Sequence, residues 1–318
     1  IVFAAALVVG ATGAFFSDTE TSTGNTFTAG ALDLKVDSEA HYNGSICTLG
    51  NHDNDGQTPD TYQWVGGEGY PVGLPCDGTW EETDLGASHK FFNLTDIKPG
   101  DEGENTISLH VYDNDAWGRF LVTNVEDHDN TCTEPESEVG ILDPECDGQP
   151  NTNPGLNNAG ELAESIAFNA WLDQGLIAGF QNSSTTPDAD PKEGNNIWDC
   201  EQAEEPTAES LCLEQLFWQG ETVDEVSEGP FALSDVLSAA YALFCANEPT
   251  ANPNGHNNYG LCHGLAQDGR MVGSVTYYFG LGWSVPTTVG NEAQTDSLKT
   301  DLEFEVEQHR NNPTPFTP

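Results

Sequence analysis

From Asp301 to Glu307 every second residue is acidic, and those between, Leu302, Phe304 and Val306, are apolar. A helix would scatter both kinds of side chain around its surface. A strand with one face in water and one on a core keeps them apart. Ile107, Leu109 and Val111 alternate in the same way, as do Val275, Tyr277, Phe279, Leu281 and Trp283. Half-buried strands of this kind pair antiparallel. Strands are expected over 31–36, 89–94, 105–112, 118–125, 271–285 and 299–308. Helical spacing is read over 161–180, 207–218 and 233–246. Segments 126–158 and 181–206 are rich in Asn, Asp, Pro and Gly and read as loops. The expected fold is mainly β: an antiparallel, jelly-roll-like β-sandwich with a disulfide-rich, partly helical insertion and an N-terminal arm. The division reads as an arm over 1–28, a sandwich core over 29–126 and 266–318, and an insertion over 127–265.

The charge excludes whole classes of partner. Asp and Glu number 53 against 8 Lys and Arg, a formal −45 in 318 residues. Nucleic-acid binding needs clustered cations that release counterions, and anionic membrane surfaces repel such a chain. Disorder does not follow, because 7 Trp, 8 Tyr and 15 Phe supply a core. The acids are spread evenly along the chain. At 1 M salt the Debye length is about 3 Å, so such a coat is screened almost at contact. A halophilic source is the expectation; an acidic calcium-binding protein in ordinary salt is the alternative.

Eight cysteines, none in a CxxC motif, point to disulfides and not to zinc. The simplest pairing is between sequence neighbours: Cys47–Cys76, Cys132–Cys146, Cys200–Cys212 and Cys245–Cys262. That implies an oxidising, extracellular or cell-surface location. Sequons at Asn43, Asn93 and Asn182 agree with it.

The chain opens with sixteen uncharged residues, IVFAAALVVGATGAFF. Three readings stay open. It is a signal-peptide hydrophobic region, a short membrane anchor, or an extended apolar strand that buries both faces. Sixteen extended residues reach roughly 50 Å, enough to cross a neighbouring subunit. No stable membrane span is expected in the mature form.

The motif Phe16-Ser17-Asp18, a Thr-rich spacer, and then Phe27-Thr28-Ala29-Gly30-Ala31-Leu32-Asp33-Leu34 resembles the start of the TasA/camelysin family of secreted fibre proteins. So does the Ile97-Lys98-Pro99-Gly100-Asp101 turn before a long strand. The end of the chain is similar to haloarchaeal members of the bundling-pilus type. The resemblance covers about the first 125 and the last 50 residues. It implies a subunit that polymerises head-to-tail by donor-strand complementation, with itself as partner and neighbouring filaments or cells as further contacts. Adhesion, cell–cell contact or biofilm matrix would be the role. The arm residues expected to enter the neighbour are Val2, Phe3, Leu7, Val8, Phe15, Phe16, Thr26 and Phe27.

Chemistry is sparse by comparison. There is no HExxH, no GxSxG elbow, no P-loop and no strand-borne GxGxxG. No catalytic residue and no cofactor is assigned, and the chain is read as a non-enzyme. The one metal considered is a structural Ca²⁺ at Asn51, Asp53 and Asp55, which copy the first ligands of an EF-hand loop. Tyr62 stands where the bidentate Glu would be, and the alternative is a solvated acidic loop. The competing function is a monomeric secreted binding module or hydrolase with its site in 160–265.

Overall fold

The computed structural model describes residues 32–50, 61–137, 146, 156–157, 160–177, 179–180, 190–199, 214–245 and 261–317. The chain divides into two units at Gly30, and these residues all belong to the second, Ala31–Pro318. In order they form β1 (Asp33–Tyr42), β2 (Ser45–Gly50), β3 (Thr61–Val65), β4 (Trp80–Thr83), β5 (Glu102–Tyr112) and β6 (Ala116–Asp129). Then follow β7 (Leu156–Asn157), α1 (Leu162–Ser165), β8 (Ala167–Leu172), β9 (Leu216–Glu221), α2 (Val223–Val226), β10 (Phe231–Ala232) and α3 (Leu233–Phe244). Last come β11 (Leu261–Cys262), β12 (Leu265–Ala266), β13 (Val275–Ser284), a 3₁₀ turn (Asn291–Ala293) and β14 (Ser297–Gln308).

The fold is mainly β, with every pairing antiparallel, as a β-sandwich requires. The large sheet runs β3-β2-β1-β5-β13-β8-β9, with β4 on the same edge of β1 as β2. The small sheet runs β10-β6-β14, with β7 also on β6. In-register partners share a face. Val36, Leu109 and Tyr277 line up across three strands, and Phe279 with Leu172 carries the row onward. These side chains meet Phe120, Val122 and Phe304 of the small sheet in one apolar core. Helix α3 closes it with Leu233, Val236, Leu237, Ala240 and Tyr241 buried, a helical stripe of period 3.6.

Two local features set the register. Asn43-Gly44 joins β1 to β2 with φ of 48° and 75°. Left-handed backbone at both turn residues matches the strand twist, and Asn-Gly is the pair that adopts it most readily. The Lys98-Pro99-Gly100-Asp101 turn docks on this hairpin. Asp101 accepts from Tyr42 Oη at 2.7 Å, from Asn43 Nδ2 at 2.9 Å and from the N–H of Lys98 at 2.7 Å.

The structure corrects three sequence expectations. Segment 161–180 is not a long helix: α1 is one turn, and Ala167–Leu172 is a strand. Ala170, Trp171 and Leu172 are all buried, so both faces of β8 are covered and its apolar run does not alternate. Trp171 lies across Gly280, where any Cβ would overlap its ring. Within 207–218, the described end belongs to strand β9. Residues 89–94 form no strand. Phe91 instead drives its ring into the core, and its carbonyl takes the side-chain amide of Asn105.

Candidate assembly edge

β14 is twelve residues long and pairs with β6 from Ser297↔His128 to Gln308↔Ala116. It is the last strand of the small sheet, and among the described residues nothing pairs with its outer edge. The large sheet ends differently. β3 is capped by its own loop, with Trp64 donating to Leu74 and Cys76 to Tyr62. At the other end β9 is six residues with two irregularities. The longest unpaired run of backbone donors and acceptors described is therefore that of β14.

Beneath this edge is an incompletely covered apolar surface. Leu302, Phe304 and Val306 are half-buried, as are Leu34 of β1 and Trp80 of β4. Aromatic rings connect them across the sandwich. Trp80 lies 4.9 Å from Phe91, Phe91 6.0 Å from Phe304, Phe304 4.9 Å from Phe120, and Phe120 5.2 Å from Trp218. A pocket with about 310 Å³ of empty space, counting what opens to solvent, lies along this chain between Phe120, Phe217, Trp218 and Phe304. Above it, the opposite face of β14 is acidic. Arg119 pairs with Glu305 and stacks on Phe316 at 4.4 Å, which ties the C-terminal residues to that face and not to the edge.

A β-bulge changes which face β6 presents. The register shifts between Lys299 and Asp301, opposite Asn124, whose φ is 51°. Even-numbered residues point inward before it, and Asp127 and Asp129 are buried after it. Burial pushes Asp127 up to about 6, against the N–H of Ala163, which favours the carboxylate. Burial also raises Asp296, which the charges of Asp127 and Asp129 raise further.

The sites expected from sequence fall as follows. Cys47–Cys76, Cys132–Cys146 and Cys245–Cys262 are formed as neighbour pairs. They fit an extracellular protein. Asn43 is half-buried, with its amide held by Asp101, while Asn93 is exposed and donates to Asp77 at 2.6 Å. The arm residues Val2, Phe3, Leu7, Val8, Phe15, Phe16, Thr26 and Phe27 lie outside the described residues. So do Asn51, Asp53, Asp55, Asn182, Cys200 and Cys212. Among the described residues no helix is long and apolar enough to cross a membrane.

For hydrolytic chemistry the described residues offer little. The one trio of metal-ligating types at ligand spacing is Asp129 with Cys132 and Cys146. Those sulfurs are joined in a disulfide, and an oxidised pair is not a thiolate ligand. On the outer face of the large sheet, His110 Nε2 lies 2.6 Å from Asp37 Oδ2, and Thr276 Oγ1 lies 3.0 Å from His110 Nδ1. Hydroxyl, imidazole and carboxylate occur in hydrolase order, but Thr276 and His110 are direct cross-strand partners inside a polar ladder.

A family model described as camelysin metallo-endopeptidase matches residues 1–45. The match takes in β1, the Asn43-Gly44 turn and the first residue of β2. No curated protein matches the chain. The N-terminal seventh of this protein is thus similar to the camelysin/TasA-like family, whose members are secreted, and the family's description leaves a peptidase open.

Proposed function

We propose that this protein is a structural subunit of an extracellular filament, polymerised when the N-terminal arm of one copy adds as a strand to β14 of the next. The observation that carries this reading is the outer edge of β14, unpaired among the described residues, above half-buried Leu302, Phe304 and Val306. An added strand would satisfy the edge's backbone groups, and its alternate side chains would finish covering that surface. Residues 1–16 have no charge, and 17–30 carry only Asp18 and Glu20. The arm can therefore lie beside Asp301, Glu303, Glu305 and Glu307 with little like-charge repulsion. The contact is head-to-tail, so it propagates instead of closing. Subunits of −45 charge would associate only where salt screens them, which makes a halophilic setting part of the proposal. Adhesion or matrix formation follows as the role of such a fibre.

The test is electron microscopy in molar NaCl of the full chain and of a version lacking residues 1–28, with circular dichroism to confirm that both are folded. Filaments from the full chain alone support the proposal. Filaments from the truncated chain, or a full chain that stays at subunit mass at high concentration, would sink it.

A second reading rests on the description of the family model matched at residues 1–45. Peptide hydrolysis by the purified full chain, abolished by a chelator, would move the assignment there.

A further inference from the structure

Loop 190–199 lies against the outer face of the large sheet. Thr106 of β5 donates its hydroxyl to Asn196 Oδ1. Gly194 approaches Tyr278 of β13 so closely that a Cβ there would stand 2.7 Å from the ring. Two carboxyl side chains hold the loop in place. Asp173 follows β8 and Glu214 precedes β9, and both have 0% exposure. Asp173 Oδ1 accepts from the N–H of Gly194 at 3.1 Å, and its Oδ2 from that of Asn196 at 3.2 Å. Glu214 Oε1 accepts from the N–H of Gly175 at 2.9 Å, and its Oε2 from that of Asp199. Trp198 Nε1 donates to the main-chain carbonyl of Glu214 at 2.8 Å. The main-chain N–H of Leu172 donates to the carbonyl of Gln215 at 3.3 Å, which carries the pairing of β8 with β9 on to Asp173 and Glu214 and sets the two side by side. Ionised carboxylates only accept, so two of them side by side can bond to each other only with a proton between them.

We propose that Asp173 and Glu214 share one proton at neutral pH and act as a latch that holds loop 190–199 on the large sheet until the proton is lost in alkali. The surroundings favour this. Facing the pair are Glu104 of β5, with Glu39 of β1 behind it, and Tyr278 of β13. Asp190, Lys192, Glu193 and Asp199 come from the loop itself. The one cation among them, Lys192, is engaged by Asp199 at 2.6 Å. A second negative charge in the pair would therefore be buried beside Glu104, with Lys192 as the one nearby cation and that one shared with Asp199. Burial, the largest effect on each, raises both carboxyls. Deprotonation sets two buried anions against each other, and the loop amides they hold are released with them.

The test follows Trp198 emission in the full chain at constant molar salt, from about pH 6 to about pH 10. Trp198→Phe isolates the signal. A red shift is expected, with the open population growing about ten-fold per pH unit, the slope of a one-proton linkage. Glu214→Gln donates an amide to Asp173 and keeps one of the two acceptor oxygens, so its loop is held by one bond fewer, but its open population should not change with pH over the same range. Infrared difference spectra should show a protonated buried carboxyl in the wild type that titrates with the same midpoint. No red shift in the wild type, an unchanged transition in Glu214→Gln, or no titrating carboxyl band would each overturn the latch. If Glu214→Gln does not fold, the infrared titration is read in Glu104→Gln, which removes the other buried carboxyl that faces the pair, and agreement or disagreement of its midpoint with that of Trp198 emission in the same variant decides.

Discussion

The side-chain amide of Asn105, on β5, donates to the main-chain carbonyl of Phe91 at 3.1 Å. The same nitrogen lies 3.0 Å from Ser38 Oγ and 3.3 Å from the carbonyl of Gly78. Asn105 is 1% exposed and Phe91 7%. One buried amide thus pins an irregular segment to the large sheet and sets the Phe91 ring against Phe304, under the open edge of β14.

Asn105→Ala leaves the Phe91 and Gly78 carbonyls without this donor. Orphaned buried acceptors cost on the order of 1–3 kcal/mol each, so a loss of about 2–4 kcal/mol is expected after relaxation. Chemical denaturation in molar salt measures it. A change below about 0.5 kcal/mol, the size of an ordinary surface substitution, would mean that Phe91 is held by its ring alone.

Stability should fall as pH rises at constant high salt. Burial, helped by the charges of Asp173 and Glu39, pushes Glu104 up to about 8 from 4.5. A folded-state pKa above the unfolded value means that the contribution is complete below about 4.5 and is lost as pH climbs through about 8. Raised Asp127 and Asp296 act in the same direction. The thermal midpoint should therefore decline between about pH 5 and about pH 9, and Glu104→Gln should flatten the slope. A midpoint that rises across this range would contradict the burial of these acids.

The cystines should matter in order of the loop each closes. Cys47–Cys76 spans 29 residues, Cys245–Cys262 spans 17 and Cys132–Cys146 spans 14. Replacing each pair with Ala is expected to cost roughly 2–4 kcal/mol, most for Cys47–Cys76. Denaturation midpoints of the three double variants give the order, and a largest loss for Cys132–Cys146 would show that local packing outweighs loop length.

Of the two sequons described, glycopeptide mapping should find an N-glycan at Asn93 and none at Asn43. Asn93 is exposed on a loop. Asn43 closes a tight hairpin turn, its Nδ2 holds Asp101 at 2.9 Å, and Ser45 of its sequon is 1% exposed. A glycan on Asn43 would require that clasp to open.

A shift of the full chain from molar salt to about 0.1 M should dissociate or unfold it, because the Debye length grows to about 10 Å and the acidic coat is no longer screened. Circular dichroism and light scattering follow the change. An unaltered spectrum in dilute buffer would remove the halophilic part of the proposed function.

Alternation was legible wherever the two faces of a strand carry different kinds of side chain. Ile107 to Val111, Val275 to Trp283 and Leu302 to Val306 lie in strands as their period of two requires, because one face holds apolar side chains and the other polar or small ones. The stripe of α3 was legible for the same reason, and the three described cystines join sequence neighbours. Strand β8 was not legible. Trp171 and Leu172 are covered on opposite faces, so burial erased the period that would have separated strand from helix. Nor could sequence show that residues 89–94 give the core one ring and no strand, since that depends on Asn105, fourteen residues away. The two most informative sites are of this second kind. The row Leu302, Phe304 and Val306 could be read in advance, but an edge is open only relative to the strands that pair elsewhere. Asp173 and Glu214, forty-one positions apart, form a proton-sharing pair only because β8 and β9 lie side by side and bring them together. Sequence records which side chains prefer water. Which of them meet out of its reach is decided by the packing of distant segments.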